Sequence, residues 1–529
     1  MEHLAILPIV VPLFAGALLA LIDDRHHTLK LAINIAATVV LFAISLWLLA
    51  DVHEGVARTT TYNLGNWPVP YGIVLVVDPL SAVMVALTSI LALGAVLFSA
   101  ARWHRAGQHF NSLFQLLLMG LSGAFLTGDL FNLFVFFEVL LAASYGLALH
   151  ASGRSRVKAS LHYIAVNLAS SSLFLIGATA IYGVAGTLNM ADLAVRIPQL
   201  SPSDLTLFQT GAAVLGVAFL VKAGMWPLGM WLPATYSAAA PPVAAMFAIL
   251  SKLGVYVILR LSALFFDESG TSANFGDLVL QYGGIATIVF GTVGVLASQG
   301  VARIACFSVL VSSGTTLAVI GYGDAGATAG ALYYLVSSTL ALACLFLLIE
   351  LMERGRSAGD DVLAITLEAY GDDEDLMHEQ EVGVATPGAF ATLGAAFICC
   401  AILIAGMPPL SGFLGKFAII SAMLDLGAEG GVPAGAWALI GVLIVSGLAA
   451  TVALMRHGIN TFWVSLDGVL PAIRSVEAAA IVLLLGLGIL MTVFAQPVMA
   501  YMSMAADTVY ARGEYLATVL SNASLGGQP

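Results

Sequence analysis

Charge is scarce in this chain: Asp, Glu, Lys and Arg make up 9% of its 529 residues, against about 25% in soluble domains. That figure excludes a water-soluble globular fold. Lysine is scarcer still, with five residues: Lys30, Lys158, Lys222, Lys252 and Lys416. The four cysteines, Cys306, Cys344, Cys399 and Cys400, lie in apolar segments, and none belongs to a Cys-x-x-Cys pair or a His cluster. Disulfides and metal sites are therefore not expected. The sequence lacks a nucleophile triad and a phosphate-binding loop, so neither enzymatic chemistry nor an organic cofactor is expected. A net charge of −12 carries no signal for nucleic acid. No basic stretch precedes the first apolar run, which starts near Leu4 behind Glu2. That run reads as a retained span and not a cleaved signal peptide.

Hydrocarbon is abundant instead. The chain is 60% hydrophobic with a mean hydropathy of +0.98. At about 20 apolar residues per span plus short loops, this predicts about 14 transmembrane helices. Leu, Ala, Val, Ile and Gly dominate without the alternating segments of an outer-membrane barrel, so the fold is an all-α polytopic membrane protein. The spans run roughly over 4–22, 29–50, 76–101, 111–128, 130–150, 160–186, 206–228, 240–265, 277–299, 302–322, 326–352, 386–423, 435–456 and 475–503. Asp51 to Tyr71 reads as a polar outer loop, with Asp78 solvated at the mouth of span three. Arg354 to Thr386 is a long hydrophilic insertion with nine acidic residues and no EF-hand spacing, and it reads as a solvated loop.

Basic residues set the orientation. With the N-terminus outside, inner loops and flanks hold twelve: Arg25, Lys30, Arg102, Arg105, Arg154, Arg156, Lys158, Arg303, Arg354, Arg356, Arg456 and Arg474. The outer ones hold four: Arg58, Arg196, Arg260 and Arg512. Positive residues favour the inner face, so both termini are expected outside.

Three lysines remain, all inside apolar segments. Lys222 stands in VKAGMWPLGMWLP, five residues before Pro227. Lys252 lies on span eight, and Lys416 on span twelve follows Pro408 and Pro409. Glu138 sits near the middle of span five. A charge in hydrocarbon costs about 2.5 to 3.5 kcal/mol on insertion scales, so these four groups must be paired, hydrated or periodically neutral. A proline inside a span frees a backbone group that needs compensation, so spans seven and twelve are expected to be broken helices. AGMPPLSGFLGKF, from Ala405 to Phe417, lines up with AGMWPLGMWLPAT, from Ala223 to Thr235, at an offset of 182 residues. About five spans separate the two, and an odd number reverses orientation. Two inverted five-helix repeats are expected, as in ion transporters. The implied organisation is N-terminal helices over 1–110, a first repeat over 111–265, a second over 277–456 containing the acidic loop 354–386, and a C-terminal helix and tail over 475–529. On span eleven, Ser337 and Ser338 either mediate helix packing or hold water along a proton path.

At these residues the chain resembles the antiporter-like subunits shared by respiratory complex I, membrane-bound hydrogenases and the multisubunit Mrp (also called Pha or Mnh) monovalent cation/proton antiporters. The resemblance covers nearly the whole chain. TGDLFNLFVFFEVLLAASYGLALH and KAGMWPLGMWLPATYSAAAPPVAAMFAILSKLGVYVILR are particularly similar to the D-type subunits of the Mrp antiporters, and the length fits the D type and not the much longer A type. The resemblance implies one subunit of a secondary ion transporter in the bacterial cytoplasmic membrane. Glu138 and Lys222 would form a charged pair, Lys252 the central relay lysine and Lys416 the terminal one. Many relatives carry histidines, and often a lysine, on span eleven, where this chain has Ser337 and Ser338. Water held by hydroxyls would then bridge Lys252 to Lys416. The serines and the acidic insertion look like the Pha-type branch, which is associated with potassium. Implied partners are a large A-type homologue, small hydrophobic subunits, the lipid bilayer, protons, and Na⁺ or K⁺. The alternative is a proton-pumping subunit of complex I or a membrane-bound hydrogenase. A third reading, a non-transporting scaffold, would leave all four buried charges dispensable.

Overall fold

Helices that are apolar on every side bury themselves among other helices or face lipid, and this chain does both. Its structure, a computed structural model, describes residues 2–23, 25–55, 58–151, 153–266, 272–354, 387–426, 431–462 and 473–521. The acidic insertion from 355 to 386 lies outside the described residues. The first half carries α1 (Leu7–Leu21), α2 (His27–Glu54), β1 (Thr60–Asn63), β2 (Val74–Val77), α3 (Pro79–Ser99), α4 (Phe110–Leu126), α5 (Leu130–Ala148), α6 (Arg154–Ala185), α7 (Met190–Arg196), α8 (Pro202–Ala223), α9 (Trp231–Ala238) and α10 (Pro241–Phe265). The second half carries α11 (Asp277–Ala297), α12 (Val301–Ile320), α13 (Ala325–Arg354), α14 (Pro387–Ala405), α15 (Ser411–Asp425), α16 (Ala434–Phe462), α17 (Ser475–Val493), α18 (Ala495–Tyr510) and α19 (Arg512–Leu520).

Among the described residues, twelve helices are long and apolar enough to cross a membrane. Two shorter apolar helices, Phe110–Leu126 and Ala391–Ala405, stand beside them. The segment expected as one span over 386–423 is two half-helices, α14 and α15. The segment expected over 475–503 likewise divides at Phe494 into α17 and α18. The loop expected at Asp51 to Tyr71 supplies β1 of an antiparallel hairpin that pairs Thr60 with Val77 and Asn63 with Val74.

Polar side chains sit where helices begin. Asp78 and Ser81 form a capping box at the start of α3, with Ser81 N donating to Asp78 Oδ1 at 2.8 Å and Asp78 N to Ser81 Oγ at 2.9 Å. Asp129 caps α5, Asn189 caps α7 and Ser201 caps α8.

The bundle has two distinct ends. One gathers the hairpin, Thr127 bridged to Leu75, Asp129 bridged to Asn189, and Glu514 accepting from the amides of Arg58 and Thr59 at 2.8 and 3.0 Å. The other gathers a charge cluster: Arg354 donates to Glu477 at 2.7 Å and to Glu350 at 3.3 Å, Arg102 also pairs with Glu350, and Arg474 reaches the Ala101 carbonyl. Between the ends, α10 is the axis. It is buried along nearly its whole length and packs on α3, α8, α12 and α13. Helices α1, α2, α6 and α8 form the rim, with large apolar side chains such as Phe14, Leu161 and Leu207 exposed.

Candidate functional site

The site begins at the two helix breaks. α8 ends at Gly224, in the left-handed region at φ +78°, and α14 ends at Gly406 at φ +72°. A side chain with a Cβ rarely adopts that conformation, so glycine closes both helices. Met225 N donates to Leu220 O at 3.0 Å, and Met407 N donates to Ile402 O at 3.1 Å. Every residue in these two closures stands at the offset of 182 seen in the sequence. The Trp226–Pro227 and Pro408–Pro409 peptides are both cis.

Each break leaves carbonyls at a helix C-terminus, where the backbone dipole favours a cation. Lys222 lies in the last turn of α8 itself. Lys416, on α15, reaches back so that Nζ donates to the Ala405 carbonyl at 2.9 Å, at the end of α14. The two lysines occupy different sequence positions relative to their prolines: Lys222 stands on the last turn of its own half-helix, whereas the Lys416 ammonium reaches the C-terminal carbonyl end of the other. At the first break, Trp231 Nε1 donates to the Val221 carbonyl at 3.2 Å.

The expected Glu138–Lys222 ion pair is not closed. Lys222 Nζ donates to Asn167 Oδ1 on α6 at 2.8 Å and lies 5.7 Å from the centre of the Phe137 ring. No ion pair within 4 Å joins it to Glu138 among the described residues, and Glu138 Oε1 is a buried acceptor without a hydrogen-bond partner. Asn167 stands where the carboxylate was expected. A neutral amide carbonyl stabilises the ammonium less than a carboxylate does, which leaves the charge easier to move.

Lys252 is fully buried on α10. Its Nζ donates to Ser312 Oγ at 2.8 Å and Ser313 Oγ at 3.0 Å, both on α12. Gly254 brings α10 close to α8, because a Cβ there would meet Ala223 N at 2.6 Å. Ser312 Oγ lies 2.7 Å from Ser338 Oγ on α13. Ser337, expected to share a hydrated path with Ser338, faces elsewhere: its Oγ lies 2.8 Å from Ser411 Oγ, which donates to the Gly488 carbonyl at 3.0 Å. Adjacent residues on a helix point about 100° apart, so the two serines serve different neighbours. The helix-break prolines Pro227, Pro408 and Pro409 all lie in the linkers between half-helices.

Asp78 is not solvated. It is 1% exposed, and Arg260, placed on an outer flank by its sequence position, is buried against it. Arg260 Nη2 donates to Asp78 Oδ1 at 2.9 Å and Nη1 pairs with the other carboxylate oxygen. The Arg260 guanidinium also lies between the rings of Tyr256 and Tyr515. Burial alone would raise the Asp78 carboxyl, but Arg260 and Ser81 outweigh it and hold it below the usual carboxylate range.

Sequence reasoning does not single out Asn167, Ser312 or Ser313, and it does not pair Asp78 with Arg260. Asn167 is an amide inside the apolar run HYIAVNLASSS, and that is the one signal that could have found it.

Known proteins carry the same arrangement of helices. A family model described as "NADH:quinone oxidoreductase/Mrp antiporter, TM" matches residues 127–444. A relative from Rhizobium meliloti (strain 1021), named as the D subunit of a probable K(+)/H(+) antiporter, is 56% identical over 535 residues, covering 100% of this chain and 99% of the relative. The D subunit of an Na(+)/H(+) antiporter of Bacillus subtilis (strain 168) is 34% identical, covering 98% and 100%. A chain in the solved Mrp complex from Dietzia sp. DQ12-45-1b matches with a TM-score of 0.81 at 26% identity, covering 98% and 100%. A chain of respiratory complex I from Thermus thermophilus shares the fold, with a TM-score of 0.73 at 21% identity and coverage of 98% and 99%. The chain belongs to the NADH:quinone oxidoreductase/Mrp antiporter family of membrane proteins.

Proposed function

We propose that the chain is the proton-translocating subunit of a multisubunit monovalent cation/proton antiporter in the bacterial cytoplasmic membrane, working in transport and not as an enzyme. One observation carries this reading. Lys222, Lys252 and Lys416 are buried in the bundle, and each ammonium donates to neutral acceptors: an amide, two hydroxyls and a carbonyl. Purely structural charges in hydrocarbon pair with opposite charges, whereas groups that gain and lose a proton need surroundings that tolerate both forms. Glu138 would set the charge of Lys222, and the proton would pass onward through Lys252 to Lys416. The relatives' names favour exchange, and the 56% identical one is named for K⁺/H⁺, so potassium is the cation proposed. Its partners would be a large homologue and small hydrophobic subunits. The matched breaks support two inverted five-helix units over 111–265 and 277–456.

We further propose that both termini face outside. With Lys30 and Arg260 buried, the census of basic residues becomes eleven inside against three outside. The charge cluster around Arg354 then marks the inner end.

The deciding experiment purifies the tagged chain with its native partners and reconstitutes them in proteoliposomes. A colourless complex that dissipates a proton gradient on addition of K⁺ or Na⁺ is expected. Flavin and iron–sulfur absorbance with large soluble partners, and no cation-driven exchange, would instead establish the redox-driven pump.

A smaller prediction arises at Lys416. A Cβ on Gly447 of α16 would meet the Ala405 carbonyl at 2.7 Å and Lys416 Nζ at 3.3 Å. Gly447→Ala is therefore expected to displace the ammonium and slow exchange about tenfold, a barrier change the size of one disturbed hydrogen bond. Exchange at the wild-type rate in an assembled Gly447→Ala complex would show that this contact does not govern Lys416.

A further inference from the structure

We propose that the loop between α3 and α4, residues 100–109, is a histidine clamp that ties the two halves of the bundle together at its inner end and lets go when the inner face turns acid. The inner assignment rests on the orientation above, and the effect on exchange rests on the antiporter reading. The loop stands apart from the buried lysines. Toward the second half, Arg102 pairs with Glu350 near the end of α13, and the Ala101 carbonyl accepts from Arg474 at the start of α17. Toward the first half, His150, just past the end of α5, donates from Nε2 to the Trp103 carbonyl at 2.7 Å. The His150 ring lies against Gly107, where a Cβ would meet Nδ1 at 2.8 Å. Arg156 in turn donates to the His150 carbonyl at 2.9 Å and to the Ala238 carbonyl, at the end of α9, at 2.7 Å.

His104 holds the turn of this loop and is buried. Its Nδ1 lies 3.0 Å from the Ser99 carbonyl and so carries the hydrogen, whereas Nε2 accepts from Arg105 Nε at 3.1 Å and so is bare. Only the neutral ring makes both bonds. A second proton has to go onto Nε2, where Arg105 already points an N–H, and it turns that bond into a contact between two cations. The neighbours do not offset this. The turn Trp103–Arg105 packs on α2, α3 and α4. From α2 comes His27, with ring centres 6.5 Å apart, and Lys30 follows it by one turn. From α3 comes the Ser99 carbonyl, and α4 begins with Phe110, Asn111 and Ser112 behind His109. Burial, then Arg105 and His27, hold His104 below its ordinary value of 6.5 against the pull of the Ser99 carbonyl. His150 is lowered in the same way, by burial and then by Arg156. In the released loop the ordinary value returns, so the clamp is intact above about pH 6.5 and weakens as the inner pH falls below it. Exchange that carries protons inward acidifies this same face, so release is a feedback on transport.

The test uses the full complex and two readouts. In everted membrane vesicles the medium meets the inner face, and it is taken from about pH 8 to about pH 6, either side of the histidine value, with the pH difference and the K⁺ concentration held fixed. Wild-type exchange is expected to fall about tenfold, the effect of losing one charge-assisted hydrogen bond. His104→Gln keeps an acceptor for Arg105 and cannot take a proton, so it is expected to hold its alkaline rate within about twofold. Arg105→Met removes the donor and is expected to show the low rate already at the alkaline end. The second readout is amide hydrogen exchange of residues 100–109 in the purified complex, corrected for the intrinsic effect of pH. Uptake is expected to rise about tenfold on acidification in the wild type and to stay flat in His104→Gln. An equal fall of transport in the wild type and His104→Gln overturns the clamp, because protons then act elsewhere. Flat uptake in the wild type also overturns it, whether or not the variants assemble. If the wild type exchanges no cation at any pH, the antiporter reading fails, and the hydrogen-exchange readout still decides the clamp.

Discussion

Lys222→Ala is expected to reduce cation-driven proton exchange to background, a loss of about a hundredfold or more for a group that carries the proton, in a complex that still assembles. Lys222 closes no ion pair within 4 Å among the described residues, its ammonium donating to the neutral Asn167 amide, so alanine breaks no closed charge pair. Asn167 loses its donor, a modest cost beside the packing of α6 on α8. Lys222→Arg separates a carrier from a mere positive charge. Arginine keeps the charge but does not deprotonate in proteins, so it is expected to be as inactive as alanine. Glu138→Gln makes a second, independent cut. Glu138 Oε1 has no hydrogen-bond partner to lose, so any loss of exchange in the glutamine variant reports the missing charge and not a broken contact. Vesicle assays that find normal exchange in Lys222→Ala or Glu138→Gln, at normal complex levels, would remove both residues from the path.

The helices and their breaks are legible in the sequence because length and apolarity mark a span, and Gly224, Pro227, Gly406 and Pro409 mark where backbone bonding must stop. What faces what is not legible. A helix such as α10, apolar on every side and buried, shows no preferred face in its sequence, so nothing there points Lys252 at Ser312 and Ser313 some 60 residues later. Span ten, RIACFSVLVSSGTTLAVIG, carries serines and threonines with nothing in the sequence to mark which of them face Lys252. Lys222 and Lys416 read as non-equivalent, which they are in register, because sequence spacing does not reveal that a lysine on one half-helix can reach back to the carbonyl end of another. Resemblance pairs Glu138 with Lys222, while Asn167 between them in sequence takes the actual hydrogen bond. Asp78 reads as solvated because it precedes an apolar run, and its partner Arg260 is far away in the chain.

That last pair is the contrast that gives the lysines their meaning. Asp78→Ala is expected to destabilise the protein by about 3 to 5 kcal/mol, because it strands the Arg260 guanidinium in the core without a counter-charge. Arg260 would keep a hydrogen bond to the Tyr256 hydroxyl, 3.2 Å from Nη2, which itself donates to the Phe125 carbonyl. A neutral hydroxyl and two flanking rings offset only part of that charge. The double variant Asp78→Leu with Arg260→Leu removes both charges, and it is expected to regain most of the lost stability. Thermal unfolding of the detergent-solubilised complex measures both, and an unchanged midpoint in Asp78→Ala would show that the pair does not stabilise the bundle. Exchange per assembled complex is expected to change little, since Arg260 lies eight residues from Lys252, about 12 Å along α10. The same helix thus carries two kinds of buried cation. Arg260 is locked by a carboxylate with both oxygens engaged, so its charge cannot move without breaking the fold. Lys252 is held by hydroxyls that can accept its proton and give up their own. Removing the first is expected to cost structure and removing the second to cost transport, and a variant set that failed to separate the two losses would contradict the division of labour along α10.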